Sequence, residues 1–197
     1  MANSRARANK SANPPPRLRI IGGRHRGRKL PIADVPGLRP TGDRIRETLF
    51  NWLAPHLPGA RVLDLFAGSG ALGLEAVSRG AGEVVLCELD SRAAEHIAQA
   101  LTLLQAANAR LQQGDALALL RRAPHQSFEI VFIDPPFAAG LWQACIDLLE
   151  PWLAPGALVY IESDTEAVYR VPEHWRSHRD KRTGRVHYCL YRVETAE

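Results

Sequence analysis

The segment Asp64-Leu-Phe-Ala-Gly68-Ser69-Gly70-Ala-Leu-Gly73 connects a short apolar run, Val62–Phe66, to an amphipathic stretch, Ala71–Arg79. Glycines at such a junction let the backbone turn tightly and pass close to a ligand. A strand, a glycine-rich turn and a helix in this order open the α/β folds that bind cofactors at the carboxyl ends of their strands. We therefore predict an α/β protein with its cofactor site at this turn.

The same alternation of short apolar runs and amphipathic segments continues downstream of the turn. It predicts a mostly parallel sheet with helices on both faces. The predicted strands are Val62–Phe66, Val84–Cys87, Ala109–Gln112, Ile130–Ile133 and Ala157–Glu162. The predicted helices are Ala71–Arg79, Ser91–Ala106, Ala116–Arg122 and Trp142–Leu149. Two later strand-like runs, Val168–Val171 and Val186–Val193, have no long helix between them and predict an antiparallel C-terminal hairpin.

The N-terminal part of the chain predicts a small extension in front of this α/β domain. Its first residues are polar, basic and followed by three prolines, which predicts a disordered tail. A β-hairpin of Arg17–Ile21 with Arg28–Ile32 follows, and then a helix that Thr41 or Asp43 caps and that ends near Leu53. The three predicted regions are the tail (1–16), the hairpin and pre-core helix (17–58) and the α/β domain (59–197).

Charge is distributed unevenly along the chain. Residues 1–30 hold nine Lys or Arg and no acid, and residues 170–192 hold seven against two acids. Between these basic flanks, residues 62–169 carry 14 acids against five arginines. A catalytic body whose flanks bind a polyanion explains this pattern, so we expect a nucleic-acid partner, with a solvated basic tail as the plainer alternative. The hairpin cations predicted to bind RNA are Arg24, Arg26, Arg28 and Lys29.

Composition limits the other classes of protein. A chain of 197 residues with 46% hydrophobic residues suits one globular domain with a small appendage. No apolar run reaches the roughly 18 residues of a membrane span. The three separate cysteines, Cys87, Cys145 and Cys189, predict a reducing cytoplasm and no disulfides. His174 and His178 have a spacing that zinc sites use on helices, but no third ligand is evident, so we expect no metal.

The glycine turn alone does not identify its ligand. Gly68, Gly70 and Gly73 follow the spacing of the dinucleotide fingerprint, and Glu88 lies 20 residues after Gly68, where a ribose-binding acid is expected. A nicotinamide enzyme and a methyltransferase both fit this pattern. Asp64 favours the methyltransferase, because its carboxylate would repel a pyrophosphate and attract the ammonium and sulfonium charges of S-adenosylmethionine.

A second cofactor contact is predicted after the third strand, at Asp115 and Ala116. The Asp115 carboxylate is expected to accept a hydrogen bond from the adenine amino group, and the Ala116 backbone N–H to meet a ring nitrogen. Alternatively, Asp115 caps the helix that follows it, and the two roles are compatible.

The segment Asp134-Pro135-Pro136-Phe137 ends the fourth predicted strand, at the edge where open sheets bind ligands. Two prolines take the chain out of the sheet and remove backbone donors. The carboxylate of Asp134 and the carbonyl of Pro135 would accept both N–H bonds of a planar amine, while Phe137 offers a face on which a base can stack. These four residues, with Pro136 keeping the turn rigid, are the predicted catalytic set for methyl transfer to an amino group.

These motifs, in this order, resemble the class I S-adenosylmethionine-dependent methyltransferases that act on amino groups. Other segments resemble the bacterial RsmD family, which methylates guanine N2 in 16S ribosomal RNA. Those segments are Arg39–Leu53, Arg19–Arg24 with Gly27-Arg28, Ile161–Ser163 and Gly184–Tyr191. The resemblance, over residues 17–193, implies a Rossmann-like, seven-stranded sheet.

The resemblance also implies how the site is built and what it acts on. The cofactor, S-adenosylmethionine, is expected to lie over Gly68, Ser69 and Gly70. A pre-core helix is expected to close over its methionine end, using Thr41 and Arg44, with Arg39 as a further candidate. The implied substrate is a guanine of 16S ribosomal RNA in a small-subunit ribosomal particle, and we expect a cytoplasmic monomer.

Three alternatives stay open on the residues alone. An NAD-dependent oxidoreductase fits the glycine spacing but leaves the double-proline corner without a role. A non-catalytic RNA-binding module would need only the basic flanks. A DNA-adenine or protein-glutamine methyltransferase would share the chemistry of the corner, although the basic N-terminus argues against glutamine and the family resemblance argues against DNA.

Overall fold

A computed structural model of the protein describes residues 16–33, 35 and 41–194. Its main sheet has seven strands, which are β3 (Arg61–Asp64), β4 (Glu83–Glu88), β5 (Ala109–Gln113), β6 (Phe128–Ile133), β7 (Leu153–Asp164), β8 (Trp175–Thr183) and β9 (Val186–Val193). Their order across the sheet is β5-β4-β3-β6-β7-β9-β8. The first five are parallel, and β9 pairs antiparallel with both β7 and β8. The predicted Rossmann-like fold with an antiparallel C-terminal hairpin is confirmed.

Helices cover both faces of this sheet, because the parallel strands are apolar on both sides. On one face, here called the α1 face, lie α1 (Asp43–Leu53), α2 (Ala71–Ser78) and α3 (Ser91–Leu103). The other face is covered by α4 (Ala116–Leu120) and α5 (Trp142–Leu149). None of the helices in the described part of the chain is long and apolar enough to span a bilayer.

One strand of the C-terminal hairpin was misplaced by the sequence pattern. The apolar run Val168–Val171 is not a strand, and Val168 is 91% exposed. The strand that pairs with β9 is β8, whose residues are mostly charged. An edge strand needs few buried side chains, and charged residues on it discourage pairing with other chains. Its apolar alternation is therefore too weak to reveal it in the sequence.

The N-terminal extension contains a two-stranded antiparallel hairpin of β1 (Arg17–Arg19) and β2 (Lys29–Pro31). The helix that follows, α1, begins after Gly42, and no side chain caps it. The predicted cap by Thr41 or Asp43 is therefore wrong. The Thr41 hydroxyl instead donates to Asp134, and Asp43 pairs with two arginines, Arg19 and Arg46. Residues 1–15 of the predicted tail lie outside the described residues.

The hairpin is attached to α2 by one buried carboxylate. Glu75, which is fully buried, accepts hydrogen bonds from the backbone N–H groups of Ile21 (2.8 Å) and Gly22 (2.7 Å) and from Nε of Arg79 (2.7 Å). A guanidinium nitrogen of the buried Arg46 lies 3.7 Å from it. This network joins the hairpin, α1 and α2 into one unit.

The tip of the hairpin packs against the last turn of α2. The N–H of His25 donates to Oγ of Ser78 (3.0 Å), which in turn donates to the carbonyl of Gly22 (2.6 Å). Gly23 has a φ of +74°, and a Cβ there would lie 1.9 Å from the Ser78 carbonyl oxygen, so only glycine fits. The close approach therefore fixes where the basic tip sits.

Candidate active site

Four acidic side chains lie along the carboxyl edge of the parallel strands. Glu88 ends β4, Asp64 ends β3, Asp134 follows β6 and Glu162 lies near the end of β7. In a strand, every second side chain lies on the same face of the sheet. Each acid lies two residues after a buried residue that packs with α1, α2 and α3, namely Leu86, Val62, Phe132 and Tyr160. The register pairs Asp64 with Phe132 and Ile133 with Ile161. The four acids therefore form a row at one edge of the α1 face.

The glycine turn is shaped by two of these acids. The N–H of Gly68 donates to Oε2 of Glu88 (2.6 Å), and the N–H of Gly73 donates to Oδ2 of Asp64 (2.9 Å). Gly70 has a φ of +79°, and a Cβ at Gly73 would lie 2.5 Å from Cδ2 of Leu86. The glycines are thus required by a left-handed turn and by close packing of α2 on the sheet.

Asp64 is the most deeply buried acid of the row. It is 1% exposed, and its Oδ1 has no hydrogen-bond partner among the described residues. Burial, and then the charge of Glu88, raise the pKa of Asp64 to about 7, although the hydrogen bond from the N–H of Gly73 and the weaker effect of the nearby Phe66 N–H oppose this shift. A buried carboxylate oxygen without a partner costs free energy, which a bound cation would recover. The site therefore fits a ligand with a positively charged group.

Glu88 and Asp115 lie together at the next part of the edge. Glu88 also accepts from the N–H of Asp90 (2.7 Å), and its backbone carbonyl accepts from Gly114, directly before Asp115 (2.8 Å). Asp115 caps α4 by accepting from the N–H of Ala118 (2.7 Å). Its side chain is exposed, while Ala116 is buried. Asp115 therefore caps the helix, as the alternative interpretation expected. Adenine binding by Asp115 and Ala116 stays a prediction.

The double-proline corner joins the edge of the sheet to the pre-core segment. The Thr41 hydroxyl donates a hydrogen bond of 3.1 Å to Oδ2 of Asp134. Pro135 is buried, whereas the carbonyl of Pro136 accepts from the N–H of Ala139 (2.8 Å) and starts a short 3-10 turn. Phe137, in that turn, is half-buried, with its ring centroid 6.0 Å from that of Trp142.

Electrostatics at the corner is dominated by burial and neighbouring acids. Burial, then the charge of Glu162, raise the pKa of Asp134 well above its ordinary value, and the Thr41 hydroxyl opposes this. Burial also raises the pKa of Glu162, while the hydroxyl of Tyr160 opposes it. Hydrogen-bond donors from a ligand would stabilise the ionised carboxylates.

Sequence reasoning missed Glu162 and Tyr160 as parts of this site. The Tyr160 hydroxyl donates to Oε2 of Glu162 at 2.7 Å. Apart from the family resemblance of Ile161–Ser163, the signal in the sequence is an acid within an apolar strand, two residues after a tyrosine, and a period of two places both on one face. That signal becomes meaningful once the register brings Glu162 beside Asp134.

The predicted pre-core contacts are only partly brought to the corner. Thr41 reaches Asp134, whereas Arg44 is exposed in the first turn of α1. Arg46, not Arg44, is the buried arginine of this helix, and it donates to the carbonyls of Thr41 (3.1 Å) and Arg19 (3.0 Å). Arg39, the further candidate, lies outside the described residues.

The predicted RNA-binding cations are exposed but do not lie beside the corner. Arg24 and Arg26 are at the hairpin tip, against the last turn of α2. Because α2 starts at the glycine turn and has eight residues, its last turn lies roughly 12 Å away, toward the opposite edge of the sheet. Arg28 donates to the carbonyl of Leu103 at the end of α3 (2.8 Å). Lys29 lies opposite Arg19 in the register of the two hairpin strands.

A second basic surface lies at the same edge as the corner. We define the C-terminal basic surface as Arg179, Lys181 and Arg182 of β8, all exposed. Lys181 pairs with Tyr188 of β9, which pairs with Glu162 of β7, so the surface continues the sheet sideways from the corner. Near the turn, Arg185 forms an ion pair with Asp164 (3.3 Å). Within the described residues, no cluster of three metal-ligating side chains is present.

Comparisons with known proteins agree with this architecture. A family model described as "Conserved hypothetical protein 95" matches residues 18–192. The chain is 52% identical over 182 residues to ribosomal RNA small subunit methyltransferase D of Escherichia coli K12, covering 90% of each chain. A solved structure of the Escherichia coli protein yhhF superposes with a TM-score of 0.85 at 47% identity, covering 92% of this chain and all of that one.

A more distant structure shares the fold. An RNA methyltransferase from Salinibacter ruber, solved in complex with S-adenosyl-L-homocysteine, superposes with a TM-score of 0.62 at 16% identity. The alignment covers 81% of this chain and 96% of that structure. At this level of identity the likeness concerns the fold alone.

Proposed function

Since the chain belongs to the RsmD family of class I methyltransferases, we propose that it methylates the exocyclic N2 amino group of a guanine in 16S ribosomal RNA. The methyl donor in this proposal is S-adenosyl-L-methionine. Two kinds of support come together: the relative acts on ribosomal RNA of the small subunit by its name, and the edge of the sheet holds acids suited to a cationic donor and to an amine.

The observation that carries the proposal is the pairing of two acids with different tasks. Asp64 presents a buried oxygen without a described partner, next to the glycine turn. Asp134 lies one strand away, at the double-proline corner, with one oxygen held by Thr41. A carboxylate for the donor's ammonium and another for the acceptor's N–H groups are what methyl transfer to an amine needs.

When bound, S-adenosylmethionine supplies a methyl group made electrophilic by its sulfonium. Asp64 would hold the ammonium of the donor, and the turn at Gly68, Ser69 and Gly70 would let the donor lie close to the backbone. Glu88 is placed to accept hydrogen bonds from the ribose hydroxyls, in addition to the backbone N–H groups that already bind it.

The corner residues would act on the amine. Oδ1 of Asp134 and the carbonyl of Pro135 accept its N–H bonds, which aims the nitrogen lone pair at the methyl carbon. As the N–C bond forms, positive charge develops on nitrogen, and the Asp134 carboxylate stabilises it. In the same step the bond between the methyl carbon and the donor's sulfur would break and leave S-adenosylhomocysteine. The nitrogen would then pass one proton along its hydrogen bond to the Asp134 carboxylate, which gives the neutral methylated base. Phe137 supplies an apolar surface at the corner for the ring of the splayed base.

The charge distribution supports a polyanionic partner. The N-terminal hairpin presents exposed cations against α2 and α3, and the C-terminal basic surface presents others on the edge strand β8. Because they are separated by the body of the protein, a large and folded RNA would contact both more readily than a short strand. We therefore propose a small-subunit ribosomal particle as the substrate, acted on in the cytoplasm by a monomer.

The experiment is transfer of a labelled methyl group from S-adenosylmethionine to small-subunit particles purified from cells that lack this gene. We expect label in 16S RNA, at a single guanine, as N2-methylguanosine after nuclease digestion. Particles from cells that contain the gene are the matched control and should accept little label. Label in protein, in DNA or in adenine would contradict the proposal, and so would an absence of label with the wild-type protein.

A further inference from the structure

Glu162 lies beside Asp134 at the catalytic edge of the sheet. The register of β6 and β7 pairs Phe132 with Tyr160 and Ile133 with Ile161, so the next residues, Asp134 and Glu162, are neighbours. Adjacent strands are about 4.8 Å apart. Both acids lie on the α1 face of the sheet, two residues after Phe132 and Tyr160. The corner therefore has two carboxylates, and in the proposed methyl transfer only Asp134 has a role.

Two hydrogen bonds hold Glu162 in position. The Tyr160 hydroxyl donates to its Oε2 (2.7 Å), and Nε1 of Trp142 donates to its backbone carbonyl (2.8 Å). Glu162 is 6% exposed, and none of the described residues donates a hydrogen bond to its Oε1. One oxygen is therefore fixed by the protein, and the other remains able to accept from a ligand.

Guanine and adenine differ in what they offer to such a pair of acceptors. On its Watson–Crick edge, guanine presents two adjacent donors, N1–H and the N2 amino group. Adenine presents one amino group, and its N1 is an acceptor whose lone pair a carboxylate would repel. Enzymes that take a base out of the stack read it by hydrogen bonds to this edge. Two neighbouring carboxylates thus match guanine and disfavour adenine.

This inference rests on the proposed function: we propose that Glu162 binds the N1–H of the target guanine through Oε1, while Asp134 accepts from the N2 amino group. Glu162 is then the residue by which the corner selects guanine over adenine. Sites built to hydrogen-bond a substrate group discriminate strongly against analogues that lack it, because their buried polar groups are left unpaired.

The charges around the pair are consistent with this role. Among the described residues, the titratable groups nearest the two acids are Asp64 from β3 and Tyr160 from β7, and Tyr188 from β9 lies beyond Tyr160. All are acidic groups, and burial raises the pKa of both Asp134 and Glu162. Two N–H donors from one base would relieve the repulsion between the ionised carboxylates.

The test compares small-subunit particles that carry either guanine or adenine at the mapped position. We expect Glu162→Gln to lower kcat/KM on the guanine particle at least tenfold and to lower the preference for guanine over adenine at least tenfold. The affinity for S-adenosylhomocysteine should stay within twofold of the wild type. Ser163→Ala, at the next position, which is also buried, is the matched control and should retain the wild-type preference.

A second variant keeps the test informative if the Glu162 variant does not fold. Tyr160→Phe removes only the hydroxyl that orients Glu162, so we expect a smaller loss of the preference for guanine, in the same direction. An unchanged preference in both variants would overturn the inference. Loss of S-adenosylhomocysteine affinity in step with kcat/KM would also overturn it, because Glu162 would then serve the cofactor. A wild-type enzyme inactive on the guanine particle would instead refute the proposed function.

Discussion

The hydroxyl of Thr41 donates a hydrogen bond to Oδ2 of Asp134 at 3.1 Å, across 93 positions of the chain. This contact joins the segment before α1 to the double-proline corner. It occupies one oxygen of Asp134 and leaves the other for an amine. The N-terminal extension therefore completes the candidate active site, in addition to carrying basic residues.

Removing this contact should weaken catalysis and change its pH dependence. Thr41→Val deletes a donor worth about 1 kcal/mol, so we expect kcat to fall roughly five- to tenfold. The Thr41 hydroxyl lowers the pKa of Asp134, against the raising effects of burial, Glu162 and Asp64. Without it, protonation of Asp134 begins at higher pH, and the acidic limb of the kcat profile should move upward. Thr41→Ser keeps the hydroxyl and is the control. If the acidic limb of the kcat profile did not move in Thr41→Val, ionisation of Asp134 would not be the step that limits activity at low pH.

Asp134 should be required for transfer but not for binding of the donor. We expect Asp134→Ala to lower kcat by at least a thousandfold, since the amine loses its charged acceptor. The dissociation constant for S-adenosylhomocysteine, measured by calorimetry, should change less than threefold. Substantial activity of the variant would remove Asp134 from the mechanism.

Binding of the donor product should depend on the ionisation of Asp64. The pKa of Asp64 is raised to about 7, mainly by burial and then by Glu88, so this carboxyl gains protons as the pH falls below that value. We expect the affinity of the wild type for S-adenosylhomocysteine to fall up to tenfold per pH unit between about pH 7 and pH 5. Asp64→Asn should bind weakly throughout, without this slope. Equal slopes in the two proteins would show that another group controls binding.

The raised pKa of Asp64 should also make the stability of the unliganded protein depend on pH. A carboxyl whose folded pKa lies above its unfolded value destabilises the fold as the pH rises from about 4 to about 7. Replacing Asp64 with Asn should therefore raise the Tm at pH 8 relative to the wild type and have little effect near pH 4. A lower Tm for the variant at pH 8 would contradict a net cost of burying the Asp64 carboxylate with its Oδ1 unpaired.

Glu75 should contribute more to stability than an exposed acid of the same type. Glu75→Gln places an amide group against the two backbone donors and two arginines, so we expect a loss on the order of 3 kcal/mol in the free energy of unfolding. Glu83→Gln disrupts an exposed pair with Arg110 (3.4 Å) and should cost less than about 1 kcal/mol. Denaturant titrations compare the two. Similar losses would mean that the hairpin is not held by Glu75.

The two basic surfaces should both contribute to RNA affinity. Replacing Arg179, Lys181 and Arg182 with Gln should weaken binding of the small-subunit particle and flatten its dependence on salt, because fewer counterions are released. Replacing Arg24, Arg26 and Lys29 should have a similar effect on the salt slope. The control is the pair Arg121 and Arg122 after α4, on the other side of the sheet. If this pair altered the slope equally, net charge and not location would explain the result.

Parts of the fold could be predicted because they depend on neighbouring residues. The hydrophobic alternation that predicts β4 and α5 involves only residues close in the chain. The same holds for the two prolines after Asp134, which cannot continue a strand, so the chain leaves the sheet there. β8 could not be predicted in this way, because an edge strand buries little and its charged residues follow no apolar period. The helix cap at α1 was wrong for a related reason: Thr41 and Asp43 have partners, Asp134 and Arg19, that are distant in the chain.

The glycine turn, the order of strands and helices as far as β7, and the presence of acids at the strand ends could all be predicted from the amino-acid sequence, since they follow from short-range geometry and hydrophobic period. Three features became apparent in the folded protein alone: Glu162 lies beside Asp134, Glu75 binds the hairpin, and the tip with Arg24 lies away from the corner. Strand register and helix docking are set by packing between segments far apart in the chain, which no local pattern records.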